Sequence, residues 1–162
     1  MVAVTTSGTA KVTLPADDQI LITREFAAPR HLVYRALTEP ELVKRWWAGQ
    51  RGEVTSVEID LRVGGTWRYV MVANAGFEVA FHGEYREIVP NERLITTEVF
   101  EGAPDAEAVN TMTLTDTDEH TRLTVLVELT SKEVRDAIID SGMEAGMQEG
   151  YDLLEKVAVS LI

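Results

Sequence analysis

The sequence predicts an α+β fold, an antiparallel sheet of about seven strands against one long C-terminal helix, with two short helices after the first strand. Three observations carry this. From Glu53 to Leu129 the apolar residues recur with period two. The breaks in that stretch are short and made of turn residues: Gly64-Gly65, Asn74-Ala75-Gly76, Pro90-Asn91, Gly102 to Pro104 and Asp116 to His120. Breaks of that kind join consecutive strands as hairpins rather than through crossover helices. Beyond Leu129 the pattern turns helical and runs to about Ser160.

The first ten residues are small and polar and are expected to be flexible, leaving residues 11–162 as a single domain. Val12 and Leu14 alternate ahead of Pro15 as a short edge strand. Ile20, Ile22, Arg24 and Phe26 alternate with Leu21, Thr23 and Glu25 in a strand that ends at Pro29. Pro29 suits the first turn of a helix, where the N–H it lacks would be orphaned anyway. Leu32, Val33, Ala36 and Leu37 form that helix's apolar stripe. Thr38 and Pro40 restart the chain as a second short helix, on which Leu42, Val43, Trp46 and Trp47 share a face at spacings of three and four. Such a pair cannot bury itself and must cap another layer. Strands follow over 53–61, 66–73, 77–89, 93–100, 109–116 and 121–129.

Thr130-Ser131-Lys132-Glu133 matches a capping box, with the Thr130 oxygen and the Glu133 carboxylate each taking an orphan amide. A single helix from there to Ser160 would be about 45 Å long at 1.5 Å per residue. It would cross a domain whose radius of gyration is about 15 Å. Gly142, Gly146 and Gly150 repeat along one face of it, each costing about 1 kcal/mol in helix propensity. A close approach of the sheet, or an opening for a ligand, would compensate. Met143, Met147 and Tyr151 stand beside the glycines, and methionine suits both irregular cores and pocket walls.

The net charge is −12, and residues 94–162 supply most of it, with fifteen acids against four bases. Clustered cations are absent, so neither a phosphate backbone nor an anionic lipid surface is an expected partner. The acidic stretch Glu98 to Glu119 reads as a solvated face or as a docking surface for a basic protein. No cysteine is present, which excludes disulfides, thiolate metal sites and cysteine nucleophiles. The start of the chain has no apolar run of a secretory signal, and no stretch is long and apolar enough to span a membrane, so the cytoplasm is the expected compartment.

Catalytic constellations are missing. No nucleophile elbow, zinc-protease helix or phosphate-binding glycine loop occurs. The acidic turn at Asp116 fails as a calcium loop, because Thr121 and Val127 stand where glycine and the bidentate glutamate are required. His31 and His120 are expected at the surface. His82 alternates with Glu84 and Arg86 on a solvent face, while Glu87 shares the other face with Phe81 and Tyr85. Glu87 is thus either a rim carboxylate or a cavity acid with a raised pKa.

Four segments carry a resemblance. ITREFAAPRHLVYRALTEPELVKRWWAG, LRVGGTWRYVM, FHGEYREIVPNERLITT and GMEAGMQEGYDLLEKV resemble, in order, the motifs of single-domain homologues of the activator of heat-shock-protein-90 ATPase. The resemblance runs from about Thr13 to Leu161. It implies the START-like helix-grip fold shared with polyketide cyclases and pollen-allergen-type carriers: a curved sheet wrapped about the C-terminal helix, with the short helices closing one end. The eukaryotic co-chaperone carries an additional amino-terminal domain that these residues do not match, so its activity is not carried over.

The function implied is binding of a small apolar or aromatic ligand in a cavity between sheet and helix, without catalysis, cofactor or metal. Trp46, Trp67, Tyr69, Met71, Phe81, Tyr85, Met112, Met143, Met147 and Tyr151 are its candidate walls, with Glu87 among them. The same residues would equally make a solid core. A chaperone-associated interaction module acting through the acidic face, and a cyclase-type enzyme, are the alternatives, in a monomer or homodimer.

Overall fold

The computed structural model describes residues 2–4, 10–118 and 120–162. Among them nine strands form one antiparallel sheet: β1 (Val2–Val4), β2 (Ala10–Thr13), β3 (Gln19–Phe26), β4 (Gly52–Ile59), β5 (Thr66–Ala73), β6 (Glu78–Val89), β7 (Arg93–Phe100), β8 (Ala108–Thr117) and β9 (His120–Glu128). Their order is β1-β2-β3-β9-β8-β7-β6-β5-β4. The last six strands make an uninterrupted meander, and β3 joins it beside β9. All seven expected strands are present, β5 and β7 with the expected ends. Of the ten N-terminal residues expected to be flexible, Met1 and 5–9 lie outside the described residues, while β1 and β2 pair with each other and extend the sheet beyond β3.

α1 (Arg30–Thr38) begins after Pro29, whose carbonyl accepts from the Leu32 and Val33 amides. Glu39 separates it from α2 (Pro40–Val43). Leu32, Val33, Ala36, Leu37, Leu42 and Val43 turn inward as the stripe required.

The single C-terminal helix is instead two, α3 (Lys132–Asp140) and α4 (Met143–Ser160). Gly142, at φ +84°, breaks them, a backbone conformation open to glycine without a side-chain penalty. The cap is Ser131 rather than Thr130: its Oγ accepts from the Val134 amide at 3.2 Å. The buried Arg135 ties α3 to the β2–β3 turn by donating to the Ala16 carbonyl at 2.7 Å.

α4 crosses the concave face of the sheet. Arg24 of β3 reaches Asp152 at 2.8 Å and Glu155 at 3.4 Å, and Phe26 meets Tyr151 edge-on at 5.9 Å. Leu154, Val157 and Ala158 complete the main core with Ile20, Ile22, Leu123 and Val125 from the strands. Neither expected reason for the α4 glycines applies. Trp46 covers Gly150 and the Arg51 guanidinium covers Gly146, so the segment between α2 and β4, not the sheet, approaches this helix face.

Candidate functional site

Strand alternation places Trp67, Tyr69 and Met71 of β5 and Phe81, Gly83 and Tyr85 of β6 on the concave face. Tyr69 pairs with Phe81 and Trp67 with Gly83. The rings of Trp67 and Tyr69 stand 4.7 Å apart, and those of Phe81 and Phe100 5.1 Å apart. Gly83 makes this possible. The Trp67 indole crosses it to donate to the Thr97 carbonyl at 3.2 Å, and a Cβ on Gly83 would lie 1.8 Å from that oxygen. Trp47, from the segment after α2, enters the recess edge-on, 5.4 Å from Tyr69 and 5.7 Å from Phe81.

Polar groups lie on the same face. Glu98 of β7 stands opposite Ala108, and the pairs Phe81–Phe100 and Tyr85–Thr96 bracket Gly83 opposite it on the other side. Its carboxyl is desolvated, and that burial pushes its pKa up, against one hydrogen bond from Asn110 Nδ2 at 3.0 Å that lowers it. Among the described residues no Lys, Arg or His nitrogen comes within 4.0 Å of the Glu98 carboxylate, so the carboxylate has no cation partner. Asn110 is 8% exposed, and its Oδ1 has no donor. Burial also drives up the Tyr69, Tyr85 and Tyr151 hydroxyls, and the Glu98 charge adds to the rise at Tyr69 and Tyr151.

The expected wall residues divide. Trp67, Tyr69, Phe81 and Tyr85 come together on the sheet, whereas Tyr151 of α4 packs against Phe26 of β3. Met143 and Met147 are half-buried along α4, and Met71 is buried between Val54 and Val79. Met112 lies further along the face, between α1 and strands β7 and β8, in a crevice too narrow to hold a water molecule. Trp46 is not in the recess. Its indole donates to the Ala36 carbonyl at 2.8 Å and locks the short helices together. Glu87 leaves the face because a bulge between Tyr85 and Glu87 reverses the alternation, and it pairs with Arg93 instead. The space between sheet and α4 is filled by these side chains. The larger cleft, about 590 Å³, lies elsewhere, between the β2–β3 turn and α3, lined by Pro15, Lys132, Arg135 and Ile139 among others.

Trp47, Glu98 and Asn110 were not among the expected site residues. Glu98 belongs by composition to the acidic stretch, but alternation with Leu94, Thr96 and Phe100 places it inward. The exposed His82, as expected, pairs across the sheet: with Arg68 it holds Glu101, Arg68 at 2.8 Å and His82 at 2.9 Å. Glu119 lies outside the described residues.

Comparisons with known proteins bear on this geometry. The profile described as "Activator of Hsp90 ATPase homolog 1-like protein" matches residues 27–158. The chain belongs to this family. A solved structure from Rhodobacter sphaeroides superposes with a TM-score of 0.87 at 25% identity, covering 93% of this chain and 99% of that one. One from Nitrosomonas europaea gives 0.80 at 28% identity over 91% and 97%, and one from Chromobacterium violaceum 0.77 at 29% over 88% and 98%. A comparison with curated proteins finds no match. At a coarse level, membership supports a module that binds a ligand or a partner. No helix among the described residues is long and apolar enough to cross a membrane.

Proposed function

We propose that this member of the Activator of Hsp90 ATPase homolog 1-like family is a non-catalytic binder of a small aromatic molecule, taken up between the concave sheet face and α4. The observation that carries the reading is Trp47, a half-buried ring on an irregular segment, seated edge-on against Tyr69 and Phe81 above a sparsely hydrogen-bonded polar floor. A recess that holds one aromatic side chain in this way offers the same contacts to an external ring. Each edge-to-face pair adds about 0.5–1.5 kcal/mol beyond area burial, so withdrawing Trp47 costs at least about 1–3 kcal/mol. That leaves at most about 15% of molecules open and weakens apparent affinity by the same fraction.

Tryptophan emission titrated with a panel of small aromatics tests this, with native mass spectrometry for co-purified ligands. Ligand should shift the emission of the wild type, and Trp47→Ala should bind at least about 5-fold more tightly because the internal competitor is gone. No binding by either protein across the panel would end the proposal. The acidic-face alternative has less support, since Glu98 turns inward and Glu101 is already held by Arg68 and His82.

A further inference from the structure

We infer that the molecule seated in the aromatic recess carries a primary ammonium group, which donates to the Glu98 carboxylate and to Asn110 Oδ1. This rests on the recess being the binding site. The polar floor is one-sided in its hydrogen bonding. An ionised carboxylate only accepts, and one Asn110 amide hydrogen is given to Glu98 at 3.0 Å, while Asn110 Oδ1 stands as a second acceptor without a donor. Two acceptors side by side call for a group with several N–H bonds, and an ammonium has three.

Charge leads to the same class. Arg24 is a cation on this sheet face, but Asp152, Glu155 and the Glu25 carbonyl take its two terminal nitrogens, its buried Nε is without a partner, and it makes no ion pair with Glu98. Glu98 therefore stands without a counter-charge among the described residues, and a desolvated carboxylate is strongly improved by a cation that arrives with its own hydrogen bonds. The ring faces of Trp67 and Tyr69 favour a cation too. A carboxylate ligand would place like charges together. The indole that Trp47 inserts into the recess fixes the probe: an indole bearing a short alkylammonium.

Calorimetry on the full chain with tryptamine, its neutral isostere tryptophol and the anion indole-3-propionate decides the matter. Tryptamine should bind at least about tenfold more tightly than tryptophol, with indole-3-propionate weakest, as a charge-assisted contact predicts. Glu98→Gln should level the three. The ranking on the unmodified protein needs no variant, so a misfolded Glu98→Gln would not obscure it. Tryptophol or the anion binding as well as tryptamine overturns the amine assignment, and so does a Glu98→Gln protein that keeps the preference. If that happens while Trp47→Ala still tightens binding, the recess stands and only its ligand class falls. If none of the three binds wild type or Trp47→Ala, both fall.

Discussion

Gly150→Ala is expected to stabilise the protein by about 1 kcal/mol, the propensity difference between the two residues inside a helix. Gly150 is buried within α4, where burial would ordinarily make an added methyl dangerous. A Cβ built there meets the Trp46 carbonyl oxygen at 3.6 Å and Trp46 Cε3 at 3.8 Å, ordinary contact distances. No overpacking therefore offsets the gain. Gly146→Ala, one turn earlier, is the informative partner. Its Cβ would lie 2.7 Å from Arg51 Nη1, so the guanidinium must swing away and give up its long 3.4 Å bonds to the Ala48 and Trp47 carbonyls. That end is flexible, and the net gain should be smaller than at Gly150 without turning into a large loss. Thermal unfolding should show Gly150→Ala raised by about 2–4 °C for a chain of this size. Urea unfolding should show a higher midpoint with an unchanged slope. A loss of stability in Gly150→Ala at constant slope would mean that Trp46 sits closer to α4 than described.

Three further outcomes follow from the same geometry. Gly83→Ala should cost at least about 3 kcal/mol, because its Cβ would stand 1.8 Å from a backbone oxygen that cannot step aside, and denaturant midpoints will show it. Glu98→Gln should raise stability at neutral pH. Because the folded protein holds the Glu98 proton more tightly than the unfolded chain, the wild type matches the variant in acid and falls behind as pH rises through the raised folded pKa, which melting curves across pH will register. Glu101→Gln should cost no more than about 1 kcal/mol at neutral pH, as a partly exposed ion pair does. Arg68 above all, then His82, holds the Glu101 carboxyl at about 2, so that difference should fade as pH drops from the usual carboxylate range towards 2.

Strand periodicity and turn chemistry revealed the sheet almost residue by residue, because each face of a strand is committed to core or solvent by its alternation. What escaped was set by single-residue events that shift a phase. The bulge after Tyr85 moves Glu87 out of the inner row, and nothing in the local sequence marks that bulge. Gly142 was counted as one of three helical glycines, yet it takes a left-handed conformation and cuts the helix, a choice decided by how α3 and α4 pack on other elements. Trp46 and Trp47 are adjacent on a turn, so about 100° of rotation decides which one locks the short helices and which enters the recess. The inward position of Glu98, by contrast, was legible. Alternation placed it with Leu94, Thr96 and Phe100, and the acidic composition of the region masked that signal.

The two charged side chains on the concave face show why Glu98 is a different kind of residue from Arg24. Both project from strands towards α4, which carries Glu144, Glu149, Asp152 and Glu155 against the single exposed Lys156. For Arg24 that helix is a source of partners, and two of its carboxylates neutralise the guanidinium and fasten α4 to β3. For Glu98 burial brings desolvation and no cation. Packing thus satisfies one buried charge and leaves the other without a counter-charge, and Asn110 can offer Glu98 a dipole but no charge. A glutamine in that position would keep the hydrogen bond and remove the penalty. The carboxylate is expected to make the protein less stable at neutral pH and to give the proposed ammonium its strongest contact, and those are the two properties that the melting and calorimetric measurements read separately.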